Sequence, residues 1–173
     1  LLLVGATTLP GAKATRPWLL WIDRNDGKQV SSKLIGNDGD EIYALETTGA
    51  AIRVAGTQRS GDANAWIAEV SAGGSVVWSA TVAMSGDQWL TDVAARGAGW
   101  VGVGGTRDAV HDGQTPAREL DSSEQVAGLF VAVDAGGKVT ATRSFGGAAA
   151  QTFEYVQPTA KGALIAGNAW VRG

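Results

Sequence analysis

The chain has no cysteine and a single histidine among its 173 residues. The first absence excludes disulfides, thiolate zinc sites and cysteine nucleophiles. The second leaves a transition-metal site to be built mostly from carboxylates, and none is assigned. A surplus of positive charge is also missing, with 14 Lys and Arg against 17 Asp and Glu and a net charge of −3. Binding to phosphate backbones needs a basic field, so nucleic acid is not an expected partner. No apolar run approaches the roughly 18 residues that span a bilayer. The opening LLLVGATTLPGAKAT lacks the basic flank of a signal peptide, and its apolar run stops at Val4. Because the first residue is Leu rather than Met, the chain is expected to be a processed product or a segment of a longer polypeptide. No sustained helical period competes with the pattern of short apolar strands.

Glycine and tryptophan are abundant, with 25 and 7 residues against only 2 Tyr and 3 Phe. Many glycines without a collagen period imply many tight turns, and large indole rings suit the space between packed sheets. An internal repeat organises both. The motifs VGATT (4–8), VAGTQ (54–58), VGGTR (103–107) and IAGNA (165–169) align Gly5, Gly56, Gly105 and Gly167, which lie 51, 49 and 62 residues apart. After each of the first three comes a strand: PWLLWID (17–23), AWIAEVS (65–71) and GLFVAVD (128–134). A turn follows, RNDGK, AGGS or AGGK, whose glycines take positive φ without a Cβ penalty and so suit a hairpin. Next come QVSSKLI (29–35), VVWSATV (76–82) and KVTATRSF (138–145), and then EIYALET (41–47), WLTDVAA (89–95) and FEYVQPT (153–159). The units run over about 1–51, 52–100 and 101–163, with a partial one at 164–173.

Four antiparallel strands in about fifty residues is the size of a β-propeller blade. The strand at 17–23 is apolar on both faces, with Trp18, Leu20 and Ile22 on one and Leu19 and Trp21 on the other. Such a strand must be covered on both sides, as in a stack of sheets. The expected fold is therefore an all-β β-propeller segment of about three four-stranded blades plus the start of a fourth. Closed rings typically hold about 4 to 8 blades. Completion is expected from further blades in the same chain or from homo-oligomerisation.

The units resemble the bacterial seven-bladed-propeller repeat and the related delta-60-type repeat, which run D-A-W-x-V-K-L-D-x-x-G-x-V-x-W, then G-G-x-x-x-D, then D-G-G-x-V-V-A-G-x-T. DANAWIAEVSAGGSVVWSATV (62–82) and the stretch 128–147 carry this pattern. Ser71 replaces the aspartate before the turn, and TTGAA and ARGAG replace D-G-G. The resemblance implies an exported, periplasmic or cell-surface scaffold that binds a protein or carbohydrate partner, without a cofactor. The alternative is a piece of a propeller enzyme, either glycosidase-like or quinoprotein-like, the latter because VVWSATV resembles the Trp-bearing strand of quinoprotein blades.

The segment TRDAVHDGQTPARELDSSEQ (106–125) lengthens the third unit and stands outside the repeat. Loops on a rigid scaffold commonly carry binding groups. His111, Asp112, Arg118 and Glu119 are therefore the candidate ligand or partner contacts, while no catalytic residue is assigned. DRNDGK (23–28) and GNDGDE (36–41) look like calcium loops, but neither fits the ligand spacing, the first placing Gly27 where a ligand is needed, so both are assigned to turns. SAGGSVVW (71–78) is a near match to a sialidase-type turn box, which is structural. Trp18, Trp66, Trp78, Trp89 and Trp100 are expected between blades. Trp21 aligns with Glu69 and Ala132 and has no aromatic counterpart.

Overall fold

The structure is a computed structural model that describes residues 1–107, 125–146 and 150–170. Its strands pair in chain order, each antiparallel to the next within four sheets. The first sheet holds β1 (Leu2–Thr8), β2 (Thr15–Ile22) and β3 (Gln29–Leu34). The second holds β4 (Glu41–Thr48), β5 (Ala51–Ser60), β6 (Asp62–Val70) and β7 (Val76–Val82). In the third are β8 (Asp87–Arg96), β9 (Gly99–Arg107), β10 (Val126–Val133) and β11 (Val139–Phe145), and in the fourth β12 (Ala150–Thr159) and β13 (Gly162–Trp170). The chain is all-β, and its sheets stack face to face like propeller blades. Hydrogen bonding is phased one strand away from the sequence repeat. A complete sheet starts at the strand before the glycine motif, so two sheets have four strands and the terminal sheets have three and two.

Apolar layers lie between successive sheets. Leu19 and Ile35 of the first sheet meet Ile42, Val54 and Trp66 of the second. On the far side of the second sheet, Ala55, Ile67 and Val82 meet Leu90, Trp100 and Leu129 of the third. Val101 and Val103 of the third meet Val156 of the fourth, with Phe153 and Ile165 packed alongside. Strands buried on both faces explain why the sequence shows near-continuous apolar runs instead of alternation.

A one-residue bulge near the start of each inner strand sets the sheet geometry. The ladder register shifts between Ile42 and Ala44, between Leu90 and Asp92, and between Phe153 and Tyr155. The bulge replaces the two-residue period by three, so Ile42 and Leu45, and likewise Leu90 and Val93, face the preceding sheet. Opposite the bulges stand Gly56, Gly104 and Gly167, where an added Cβ would strike the carbonyl oxygens of Glu41, Trp89 and Thr152. The structural counterpart of Gly56 is therefore Gly104, not the Gly105 that the motif alignment selects. Gly105 is glycine for a different reason: a Cβ there would enter the ring of Trp89. Bulge residues also tie the third sheet to the fourth, since Thr91 Oγ1 donates to the Phe153 carbonyl (2.6 Å) and Asp92 Oδ2 accepts the Val156 N–H (2.8 Å).

The hairpin turns follow the expected chemistry. Gly27, Gly74 and Gly137 have φ of 71°, 78° and 84°. Asp134 Oδ1 accepts the N–H groups of Gly136 and Lys138, and in the second sheet Ser71 Oγ takes over by accepting the Ser75 N–H. A hydroxyl thus replaces the aspartate of the repeat, with one such bond in place of two. Both oxygens of Asp40 in GNDGDE are likewise engaged by backbone N–H groups, from Asn37 (2.7 Å) and Arg59 (2.8 Å).

Trp66 and Trp100 are buried between sheets, and Trp78 packs beside the same layer as Trp100. Trp21 is half-buried between the first and second sheets, its ring against Gly74. Trp89 sits in a smaller cluster with Ala63 and Val126. Trp18 departs from the expectation. It occupies the position of Trp66 but in the first sheet, on the face turned away from the second, and is only half-buried. The buried Nε1 of Trp66 makes no hydrogen bond to the described residues. Trp66→Phe removes that donor along with some volume, so the two effects oppose each other. The expected urea-unfolding change is under about 1.5 kcal/mol, near the cost of a mild core swap.

Candidate functional site

One end of the stack collects the starts of the inner strands and the ends of the glycine-bearing strands, and residues 108–124 connect β9 to β10 at that end. Two of its turns are fixed by buried polar side chains two residues before the bulges of β4 and β8. Asp40 closes the turn before β4, as described above. Gln88, fully buried, closes the turn before β8: Oε1 accepts the Met84 N–H (3.0 Å), and Nε2 donates to the carbonyls of Ser85 (3.0 Å) and Gly86 (2.8 Å).

Beside Gln88 lies a buried ion pair. Arg107 Nη2 donates to Asp87 Oδ2 at 3.0 Å, with both side chains wholly out of solvent. The second carboxylate oxygen accepts the Ala63 N–H (2.9 Å), which links the third sheet to β6 of the second. The guanidinium lies 5.7 Å from the centre of the Trp89 ring. Arg59 and Arg107 stand three residues beyond Gly56 and Gly104 and are therefore equivalent. The shared arginine was a readable signal in GTQR and GTR. Aligning Gly105 with Gly56 hid it by setting Arg107 against Gln58.

A cleft of about 280 Å³ opens here. Met84 and Ser85 form one wall, Arg107, Gln125 and Val126 another, and Ser144 and Gly146 close the end of β11. Its polar groups are hydroxyls and an amide, set beside the apolar Met84 and Val126. Arg107 contributes little net charge, because its guanidinium is bound to Asp87. The arrangement suits hydrogen bonding to a neutral polar ligand or to an extended backbone. Among the described residues, no group of three or more His, Asp or Glu is placed to hold a metal ion. His111, Asp112, Arg118 and Glu119 lie outside the described residues. Their segment leaves the sheet at Arg107 and returns at Gln125, both on the cleft wall.

The opposite end holds a second polar cluster. Arg53 pairs with Glu69 (2.5 Å) and lies over the rings of Trp100 (4.2 Å) and Trp78 (5.2 Å), while Trp78 Nε1 donates to Glu69 Oε2 (2.8 Å). Burial pulls the Arg53 pKa below its usual value, and the Glu69 carboxylate opposes that shift. This cluster clamps the second sheet to the third. A shallower cleft of about 260 Å³ beside it is lined by Arg96, Trp100, Asp134 and Thr140. In comparisons with protein-family models and with curated proteins, the chain matches none.

Proposed function

We propose that the chain is a segment of a larger, exported β-propeller and serves as a non-enzymatic binding module for a protein or glycan. The cleft at the strand ends is the contact surface, with the segment 108–124 joined in sequence to its wall residues Arg107 and Gln125. One observation carries this reading: the only long departure from the repeat springs from the wall of a cleft whose rim turn is locked by Gln88 and whose floor is braced by the Asp87–Arg107 pair. Hydroxyl and amide groups beside apolar side chains are the usual lining of a site for neutral ligands. Support for the quinoprotein alternative weakens because Trp78, its one sequence hint, spends its indole on Glu69 and Arg53.

The test uses two variants, one replacing residues 108–124 by Asn-Gly and the other carrying Ser144→Trp to fill the cleft. Both are screened with the parent against glycan and peptide arrays. At least one ligand class retained by the parent and lost by both variants, at unchanged thermal midpoint, is the expected result. Retention by neither the parent nor the variants, or by all three alike, would overturn the proposal.

A further inference from the structure

Among the described residues, β3, β7 and β11 close the outer edges of the first three sheets, each paired with one strand only. Further sheets stacked on either end would cover faces and leave these edges as they are. All three strands share a one-residue bulge, at Val30, Val77 and Thr140, after which the ladder is unbroken. Edge strands are ordinarily protected from pairing with other chains by a charged residue, lysine above all. Gly5 pairs with Trp18 as Gly56 pairs with Trp66 and Gly104 with Leu129, so the next residues, Leu19, Ile67 and Phe130, are equivalent. Their partners in the outer strands are Lys33, Ala80 and Arg143. The repeat thus sets a cation at this position twice and omits it from β7. No charged residue lies between Glu69 and Asp87, and Val76 and Val77 are 44% and 59% exposed.

The main chain of β7 is arranged to accept a further strand. The Ala63 N–H goes to Asp87 and not to β5, so alternation along the unbroken β5–β6 ladder turns the main-chain groups of Ala65, Ile67 and Glu69 toward β7. Their partners Val82, Ala80 and Trp78 are thereby engaged, and Ser79 and Thr81 direct their N–H and C=O groups outward.

We infer that β7 pairs antiparallel with β7 of a second copy of this chain, about a twofold axis at Ala80, the middle of the unbroken stretch Trp78–Val82. Ser79 then stands opposite the partner's Thr81 and exchanges both main-chain hydrogen bonds with it, and Trp78 stands opposite the partner's Val82. A second copy is the fitting occupant because the residue on the axis meets itself. Lys33 or Arg143 in that place would confront an identical charge, whereas Ala80 confronts none. β3 and β11 are thus barred from the pairing that β7 allows. The pairing uses residues that precede Met84 of the strand-end cleft and does not depend on the function proposed there.

Sedimentation velocity on the whole chain compares the parent, Ser79→Lys, Ser79→Glu and an equimolar mixture of the two variants. Ser79 is exposed, so neither change disturbs the fold, and thermal midpoints at low concentration should match the parent's. In the pairing, residue 79 lies diagonal to its own copy, within reach of long side chains. Each variant alone is expected to self-associate at least about tenfold more weakly than the parent, and the mixture to recover, because unlike charges then meet. Stacking through the sheet faces at the two ends would show no such dependence. A parent that is monomeric at every concentration, leaving the edge to a strand of another protein, would overturn the inference. So would association that the single variants leave unchanged, or a loss that mixing fails to reverse.

Discussion

Gly56→Ala and Gly104→Ala are each expected to lower the thermal midpoint by roughly 6 °C or more, while Gly5→Ala leaves it unchanged or slightly raised. The same substitution at equivalent positions thus gives opposite signs. At Gly56 and Gly104 the new methyl would land on the carbonyl oxygen of Glu41 or Trp89. A flexible side chain can turn aside, but this oxygen belongs to the bulge of an inner strand, so relief requires moving β4 or β8 off the ladder. Overpacking costs about 1–3 kcal/mol where side chains can adjust, and a backbone clash belongs at or above the top of that range. At Gly5 no atom lies within 4 Å. Replacing an unneeded strand glycine removes an entropic cost of about 0.5–1 kcal/mol. Scanning calorimetry on the three variants decides the matter. Equal losses at all three positions would show that these glycines serve the chain's general folding and not the passage of an inner strand.

The pairing of Gly56 with Gly104 also marks where the sequence stops being readable. Hairpin turns and strand order were legible because AGGS, AGGK and NDGK impose positive φ locally, and because period and turn chemistry agree. The glycine phase was not legible. Gly104 and Gly105 are adjacent, each is required by a different neighbour, and only the side chain of Trp89 and the bulge at Leu90 and Thr91 tell them apart. A slip of one residue moves every side chain to the other face. That slip concealed the equivalence of Arg59 and Arg107 and with it the buried pair at the cleft. Trp18 stands apart for a related reason: its sequence environment matches that of Trp66, but among the described residues no sheet covers the face it occupies. The cleft itself joins residues 84–85, 106–107, 125–127 and 144–146, which converge only after the third sheet has formed.

Arg107→Ala is expected to cost about 3–5 kcal/mol of unfolding free energy, a large share of the roughly 5–15 kcal/mol that holds an ordinary domain together. The carboxylate of Asp87 has no access to water, so truncating Arg107 removes the principal cation from a group that cannot be resolvated in place. Loss also spreads beyond the pair. Asp87 carries the bond to the Ala63 N–H, and any outward shift of its carboxylate breaks a link between the second and third sheets. Asp87→Asn should fall by a similar amount for the converse reason, since it retains an acceptor for Ala63 but leaves the guanidinium charge buried. The double variant Asp87→Asn with Arg107→Met separates charge from shape: with both charges gone, part of the loss should return, and the two single effects should not add. Arg53→Ala provides the internal comparison. Glu69 keeps 22% of its side chain exposed, so water can take over part of the solvation there, and the expected loss is smaller than at Arg107. Urea midpoints at constant m-value rank the four variants. An Arg107→Ala loss no greater than that of Arg53→Ala would mean that water reaches Asp87 and that the cleft floor is not the dry, braced surface described above.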